Sequence, residues 1–341
     1  VGHRPRAADR LRRAARREEY VMTALEPIDA NAQLAHAKVI LFGEHAVVHG
    51  RLAIAAALDR GARAVATRSE GRSVLDLAPW GRTARVGDDD DDVSRAFAAL
   101  LDRAGAGTTG VSARVQVDVP GGAGLGCSAA IAVAVARAVG VAIGKRLDAD
   151  GAAECAMAWE RVFHGNPSGV DVAVSARGGV VSFRRGSAPQ PIQFPDAIEL
   201  AVASTGEPCS TRAMVEQVGR QLARRPQVVE RTFDGIDTLS VKGLEAIKTG
   251  RWYEVGRLMD LNHALLASLM VSTERLEAAC NIARGAGAFG AKLTGGGGGG
   301  CAIALAPGKT HQVVEAWKRE GIDGFVARIP PPLVVVSAFA P

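Results

Sequence analysis

Apolar and polar positions change rhythm several times along the 341 residues, and each rhythm predicts an element. Ala35–Val48 alternates into a short apolar run and ends in Gly43-Glu44-His45, the pattern of a half-buried strand with a charged end. Leu52–Leu58, Ala62–Arg68, Val111–Val119 and Gly179–Arg184 read as further strands. The five aspartates Asp88–Asp92 read as a solvated loop opening a helix over Val93–Arg103, because acidic groups suit a helix N-terminus. Ser128–Ile143 is apolar almost all round and predicts a buried helix, with a second helix over Ala152–Phe163.

From about Ile192 the rhythm shifts. A strand over Ile198–Ser204 precedes helices over Thr211–Arg224, Arg231–Thr249, Trp252–Leu269 and Thr273–Gly285. Ala291–Thr294 and Cys301–Leu305 look like the two strands of one hairpin, followed by a helix over His311–Glu320 and a closing strand over Leu333–Ala338. Strands followed by helices, without internal repeats, predict α+β layers rather than a regular βαβ series. The expected division is an N-terminal extension over 1–30, a first domain over 31–190 and a second over 191–341. In the extension Leu11–Tyr20 has helical composition but no core face, so a disordered leader is expected, with Met22 a candidate natural start.

Composition narrows the class. Apolar residues make up 48% and aromatics only 4%, so a sizeable core must be packed from Ala, Val, Leu and Ile. The net charge of +5 has its excess in residues 1–19, which excludes a basic nucleic-acid face as the leading reading. Five cysteines, with no CxxC spacing, fit neither a disulfide framework nor a zinc site, and point to a reducing cytoplasm. The most apolar stretch, Ala129–Ile143, is broken by Arg137 and is shorter than the ~20 residues of a membrane span, so no membrane partner is expected. The arginine-rich start lacks the apolar segment of a secretory signal.

Three segments carry chemistry. In Pro120-Gly121-Gly122-Ala123-Gly124-Leu125-Gly126-Cys127-Ser128 a strand ends, glycines wrap the backbone and a helix begins at once. Backbone N–H groups and the helix dipole there suit an anion, and a Cβ would block its approach. A Walker A loop does not fit, because Arg146 follows Gly144-Lys145 and Val139 stands where Gly is required. A dinucleotide fingerprint does not fit either, because Cys127 replaces its last Gly. A turn used only for packing stays open. Second, Lys292-Leu293-Thr294 leads into six glycines, Gly295–Gly300, whose entropy cost implies an anion nest, a tight passage beside the first loop, or a linker. Third, Lys38 inside an apolar strand and Glu44-His45 at its end need partners or a function.

Together these segments resemble the signature motifs of the GHMP kinases, most closely those of the mevalonate kinases. Lys38–His45, Pro120–Ala130 and Lys292–Cys301 match the three motifs, and Glu160–Asp171 resembles the segment that holds the family's catalytic aspartate. Thr205–Thr211 and Asn262-His263 also fit, so the likeness covers roughly residues 33–340. The sequence departs from the pattern at Cys127, usually Ser, at Gly296, often Ala, and at Val172, often Asn. The last puts the positioning of Asp171 in question.

The resemblance implies a two-domain α+β fold with the active site in the interdomain cleft, and ATP and Mg²⁺ as cofactors. It implies ATP phosphates on the backbone of Gly122, Ala123, Gly124, Leu125, Gly126, Cys127 and Ser128, with Ser128 and Glu160 as Mg²⁺ ligands. Asp171 would take the proton from the acceptor hydroxyl beside Lys38. Glu44, His45 and Thr211, with Lys38 and Asp171, would contact the substrate, and Thr294, Gly295, Gly296, Gly297 and Gly298 form the third-motif loop. The implied reaction is phosphorylation of the 5-hydroxyl of mevalonate. Other GHMP kinases, acting on phosphomevalonate or on a different mevalonate hydroxyl, and a non-catalytic ligand sensor stay as alternatives, and a homodimer is left open. His36, His49, His164 and His263 are expected to be local hydrogen-bonding residues.

Overall fold

The computed structural model describes residues 31–329, apart from Thr108, Asn166 and Ser168. The leader and the closing strand over Leu333–Ala338 therefore lie outside the described residues.

The first half is built on one long strand. β1 (Gln33–Phe42) pairs antiparallel with β2 (Ala53–Arg72), which runs on through both segments expected as separate strands. Gly61 makes this continuity possible: a Cβ there would lie 2.1 Å from the carbonyl oxygen of Ala35. β2 also pairs with β5 (Thr109–Val117) and with β6 (Val180–Phe183), and β6 pairs in turn with β7 (Gln190–Ile192). β3 (Val74–Leu77) lies parallel to β5 and forms a hairpin with β4 (Arg82–Arg85), which the sequence reading did not separate.

Among the described residues, four α-helices belong to this half. α1 (Asp92–Ala104) is capped by Asp91, whose carboxylate accepts from Ser94 N at 2.9 Å, as the acidic run implied. α2 (Cys127–Ala142) is buried nearly throughout, and its alanines let it lie close on the alanine-rich β1 and β2. Arg137, the charge that breaks its apolar run, donates to the carbonyls of Leu34 and Ala176. α3 (Ala149–His164) follows, and α4 (Val170–Arg177) forms in a stretch for which the sequence predicted no element.

The second half holds a sheet in the order β11-β8-β10-β9, with β8 (Ile198–Ser204), β9 (Gly290–Thr294), β10 (Cys301–Leu305) and β11 (Asp323–Ile329). The β9–β10 hairpin brackets the six glycines in register, Thr294 opposite Cys301. α5 (Thr211–Arg224), α6 (Pro226–Lys248), α7 (Trp252–Ser268), α8 (Glu274–Gly285) and α9 (Thr310–Arg319) complete this half. One apolar cluster runs through both halves, from Val39 and Leu41 on β1 to Leu200, Val202 and Ile303. The mouth of the site is thus set where two sheets share a core.

Candidate active site

The site forms where β1, the first glycine loop, the starts of α2 and α4, and the second glycine run converge. Two β-bulges, between His36 and Lys38 and between Ile40 and Phe42, flank Lys38 on β1. Bulges re-aim side chains, and here Lys38 stands almost buried between two buried neighbours. Its backbone N–H donates to Leu125 O at 2.9 Å and its ammonium to Gly124 O at 3.2 Å, so strand and loop are fastened at one residue. The same ammonium lies 3.4 Å from Asp171 Oδ1, in the first turn of α4. Asp171 remains 41% exposed, open to an incoming hydroxyl.

Gly122, Gly124 and Gly126 all have φ between +69° and +79°, a conformation available to them for want of a side chain. At Gly126 a Cβ would also sit 2.8 Å from Lys38 Cγ. The turn therefore delivers the start of α2 directly above Lys38. Cys127 is buried in that first turn, and burial pushes its thiol up to about 12, with Asp118 adding to the effect. It serves through its backbone and is not a nucleophile.

Ser128 and Glu160, the pair that the resemblance offers as Mg²⁺ ligands, lie together: Ser128 Oγ donates to Glu160 Oε1 at 2.5 Å. Trp159 Nε1 donates to the same hydroxyl at 3.2 Å, a contact that sequence reasoning missed. His164 Nε2 lies 3.5 Å from Glu160 Oε2, one turn along α3. Burial raises the Glu160 carboxyl above its ordinary range, and Asp171 adds to this, while the Ser128 bond and His164 act against it. A hydroxyl and a carboxylate this close offer two hard oxygens, a donor set that fits Mg²⁺ taking its other ligands from phosphate and water.

His45 stands at φ 60°, a left-handed conformation uncommon for a side-chain-bearing residue. It is held there by a 2.8 Å hydrogen bond between Nε2 and Gly296 O. Burial lowers its pKa, the bond to Gly296 opposes this, and His49 lowers it further. Thr211 opens α5 next to Gly296, with Ser210 capping the helix. Glu44 turns inwards: its carboxylate is fully enclosed, accepting from Lys292 Nζ and, at 3.2 Å, from Asn262 Nδ2. It reaches the cleft only through its neighbours. Of the histidines given local roles, His36 Nδ1 bonds Leu58 O at 2.7 Å and His49 stacks on Phe233 at 4.6 Å.

The second glycine run is the tight passage among the three alternatives. Gly298 N donates to Val271 O at 2.7 Å, Gly300 N to Glu207 O at 2.9 Å, and Cys209 Sγ to Gly297 O at 2.7 Å. Gly295 rides on Gly124, where a Cβ would come within 3.2 Å of its carbonyl oxygen. Thr294 Oγ1 accepts from Ile40 N at 2.8 Å and donates to Ile40 O at 3.1 Å, tying the run to β1.

Residues 91–179 match the family model "GHMP kinases N terminal domain" and residues 244–323 the model "GHMP kinases C terminal". A mevalonate kinase of Pyrococcus abyssi is 35% identical over 318 residues, covering 86% of this chain and 94% of the relative. One from Aeropyrum pernix is 36% identical over 308 residues, with the same two shares. The chain belongs to the mevalonate kinase family of the GHMP kinases. Among solved structures, Leishmania major mevalonate kinase in complex with R-mevalonate superposes with a TM-score of 0.80 at 27% identity, over 92% of this chain and 99% of that one. The Methanococcus jannaschii enzyme gives 0.78 at 25%, over 89% and 99%. The GHMP kinase fold expected from the sequence is the fold observed.

Proposed function

We propose that this chain transfers the γ-phosphoryl group of ATP to the 5-hydroxyl of mevalonate, giving 5-phosphomevalonate and ADP. The observation that carries the reading is the Lys38–Asp171 pair, 3.4 Å apart and fastened beneath the glycine loop through Gly124. Phosphoryl transfer asks for alignment and charge stabilisation more than covalent chemistry. The acceptor oxygen bonds to the γ-phosphorus, the bond to the β–γ bridging oxygen breaks, and the hydroxyl proton passes to Asp171. Lys38 stabilises the negative charge on the oxygens in flight. N–H groups at the start of α2 hold the phosphates, and Ser128 and Glu160 would hold Mg²⁺, which neutralises phosphate charge when bound. His45 and Thr211 line the acceptor side.

An unphosphorylated acceptor matches the charge available. A second phosphate would call for additional Lys or Arg, and Arg212, the cation next to Thr211, is engaged with Glu216 at 3.0 Å. The likeness to a mevalonate-bound structure supports the same reading. The five free cysteines fit action in a reducing cytoplasm.

The test offers mevalonate and its 5-phosphate separately with ATP–Mg²⁺ and follows products by phosphorus NMR. A new phosphate monoester from mevalonate is expected. A diphosphate from the 5-phosphate, with mevalonate untouched, would overturn the reading. Asp171→Asn should cut turnover by ~10²–10⁴ while leaving ATP affinity and melting temperature nearly unchanged; more than half the normal kcat would remove Asp171 from the role of base.

A further inference from the structure

The buried pair of Lys292 and Glu44 takes no part in the chemistry above, yet it is tied to the strand and turn that carry Lys38 and His45. Lys292 sits on β9, in the second half, and its side chain is fully enclosed. Its ammonium has three acceptors: the Glu44 carboxylate, Leu293 O at 2.6 Å and Ile40 O at 3.3 Å. All three of its protons are thereby used, which is what an enclosed ammonium requires. The other Glu44 oxygen accepts from Asn262 Nδ2 on α7 at 3.2 Å. Three of these contacts cross from the second half into the strand and turn that carry Lys38 and His45.

The crossing has a rhythm. Residues 292, 294 and 296 point at β1 and its following turn in succession. Lys292 holds Ile40 O and Glu44, Thr294 holds both polar groups of the Ile40 backbone, and Gly296 O holds His45. Alternate residues of a strand share one side, so Lys292 and Thr294 on β9 face β1 together, and the carbonyl of Gly296 in the turn that follows adds the third point. Ile40 is two residues from Lys38, and Glu44 is next to His45. Among the described residues, the two hydrogen-bond partners of the Glu44 carboxylate, Lys292 and Asn262, both come from the second half.

We infer that Lys292 is a positioning residue for phosphoryl transfer. It holds Glu44 and the Ile40 carbonyl so that Lys38 and His45 stand at the correct height against the phosphate loop. This role rests on the kinase reading above. It differs from a purely structural role in what it governs: the distance from the acceptor hydroxyl to the γ-phosphate, rather than the binding of ATP, whose loop belongs to the first half.

The experiment uses the full chain and three variants: Lys292→Met, Lys292→Arg and the double variant Glu44→Gln/Lys292→Met. Wild type is assayed first with ATP–Mg²⁺ and mevalonate. Lys292→Met should lose about 100-fold in kcat, the size expected when reacting groups shift by about 1 Å, with ATP affinity within about threefold. It should also melt lower, because Glu44 is left buried without its partner. The double variant removes that unpaired charge and should regain most of the melting temperature without regaining kcat. Lys292→Arg should recover part of the turnover. If the double variant recovers kcat along with stability, or if Lys292→Met keeps kcat within threefold, the inference is wrong. An inactive wild type would instead overturn the substrate reading. In that case amide hydrogen exchange decides: faster exchange over residues 36–46 of the double variant with residues 121–130 unchanged supports the role of Lys292, and equal exchange in both stretches overturns it.

Discussion

The two glycine-rich segments look alike in composition and are used in opposite ways. In the first, Gly126 makes room for Lys38, but Gly122 borders open space. Gly122 has nothing within 4 Å of where its Cβ would be, and its φ of +69° curls an open turn ahead of α2. In the second, glycine serves the protein. A Cβ at Gly297 would meet Val271 O at 2.2 Å, one at Gly298 would meet Met214 Sδ at 2.5 Å, and one at Gly300 would meet Ala123 O at 2.9 Å. Its backbone groups are engaged by Val271, Glu207, Thr205 and His45. The missing side chain thus leaves open space in one segment, where we propose the phosphates lie, and makes room for neighbouring chain in the other, and only the surroundings tell which.

Substitutions should separate the two uses. The largest effect is expected from Gly297→Ala, which combines a left-handed φ of +71° with a collision against backbone. A loss of about 3–5 kcal/mol is expected from strain and overpacking together, read by urea denaturation. A stable Gly297→Ala protein would mean that the run is looser than described. Gly122→Ala has only the φ to contend with, at about 1–2 kcal/mol. The protein should lose no more stability than that, while KM for ATP rises by roughly tenfold, about 1.4 kcal/mol, as the turn deforms. Unchanged ATP kinetics would detach this turn from the nucleotide.

Acid should act on the second segment before the first. His45 is bonded to Gly296, and His263 accepts from Leu293 N at 3.2 Å just ahead of the run. Burial lowers the pKa of both, so the folded state keeps them neutral where the unfolded chain already binds protons. Stability is then complete above the ordinary value of 6.5 and falls as pH drops below it towards the folded values. Each histidine can contribute a slope of at most about 1.4 kcal/mol per pH unit. Melting curves between pH 7.5 and 5 should show the fall, and His45→Gln should make it shallower; an unaltered slope would exclude His45 as a source. The smallest effect belongs to Gly296→Ala. Its backbone is not left-handed, and the new Cβ would come 3.0 Å from Thr211 Cα, so the start of α5 must give by a few tenths of an ångström. A stability change under about 1.5 kcal/mol is expected, with KM for the acceptor moving more than KM for ATP.

The sequence made some of this legible. Thr211–Arg224 is the helix its pattern predicts, because Ser210 supplies a cap and the apolar spacing is helical. The β9–β10 hairpin was visible because two apolar runs flank a stretch that cannot be either strand. Ser128, Glu160, Lys38 and Asp171 came through the family resemblance, and the structure brings them to neighbouring positions. The β3–β4 hairpin and α4 were missed, being only 4 to 8 residues long, too short for periodicity to declare them. The pairing of Lys292 with Glu44 spans 248 positions, and no local rule reaches that far. One signal was available: Lys292 is a lone charge in an otherwise apolar strand, as is Lys38, and an enclosed charge implies a partner of opposite sign elsewhere.

The stitch from Thr294 to Ile40 joins residues 254 apart, whereas β1 finds β2 within a few tens of residues. During synthesis the phosphate loop and its supporting sheet leave the ribosome well before the hairpin that locks His45 and Glu44. Contacts between distant residues form late, since the loop they close must be ordered first. A growing chain therefore passes through a stage in which the proposed nucleotide loop and its sheet are made and the hairpin that completes the proposed acceptor side is not. In a refolding experiment, ATP binding should return ahead of turnover, and the interval between them measures how long the last hairpin takes to dock.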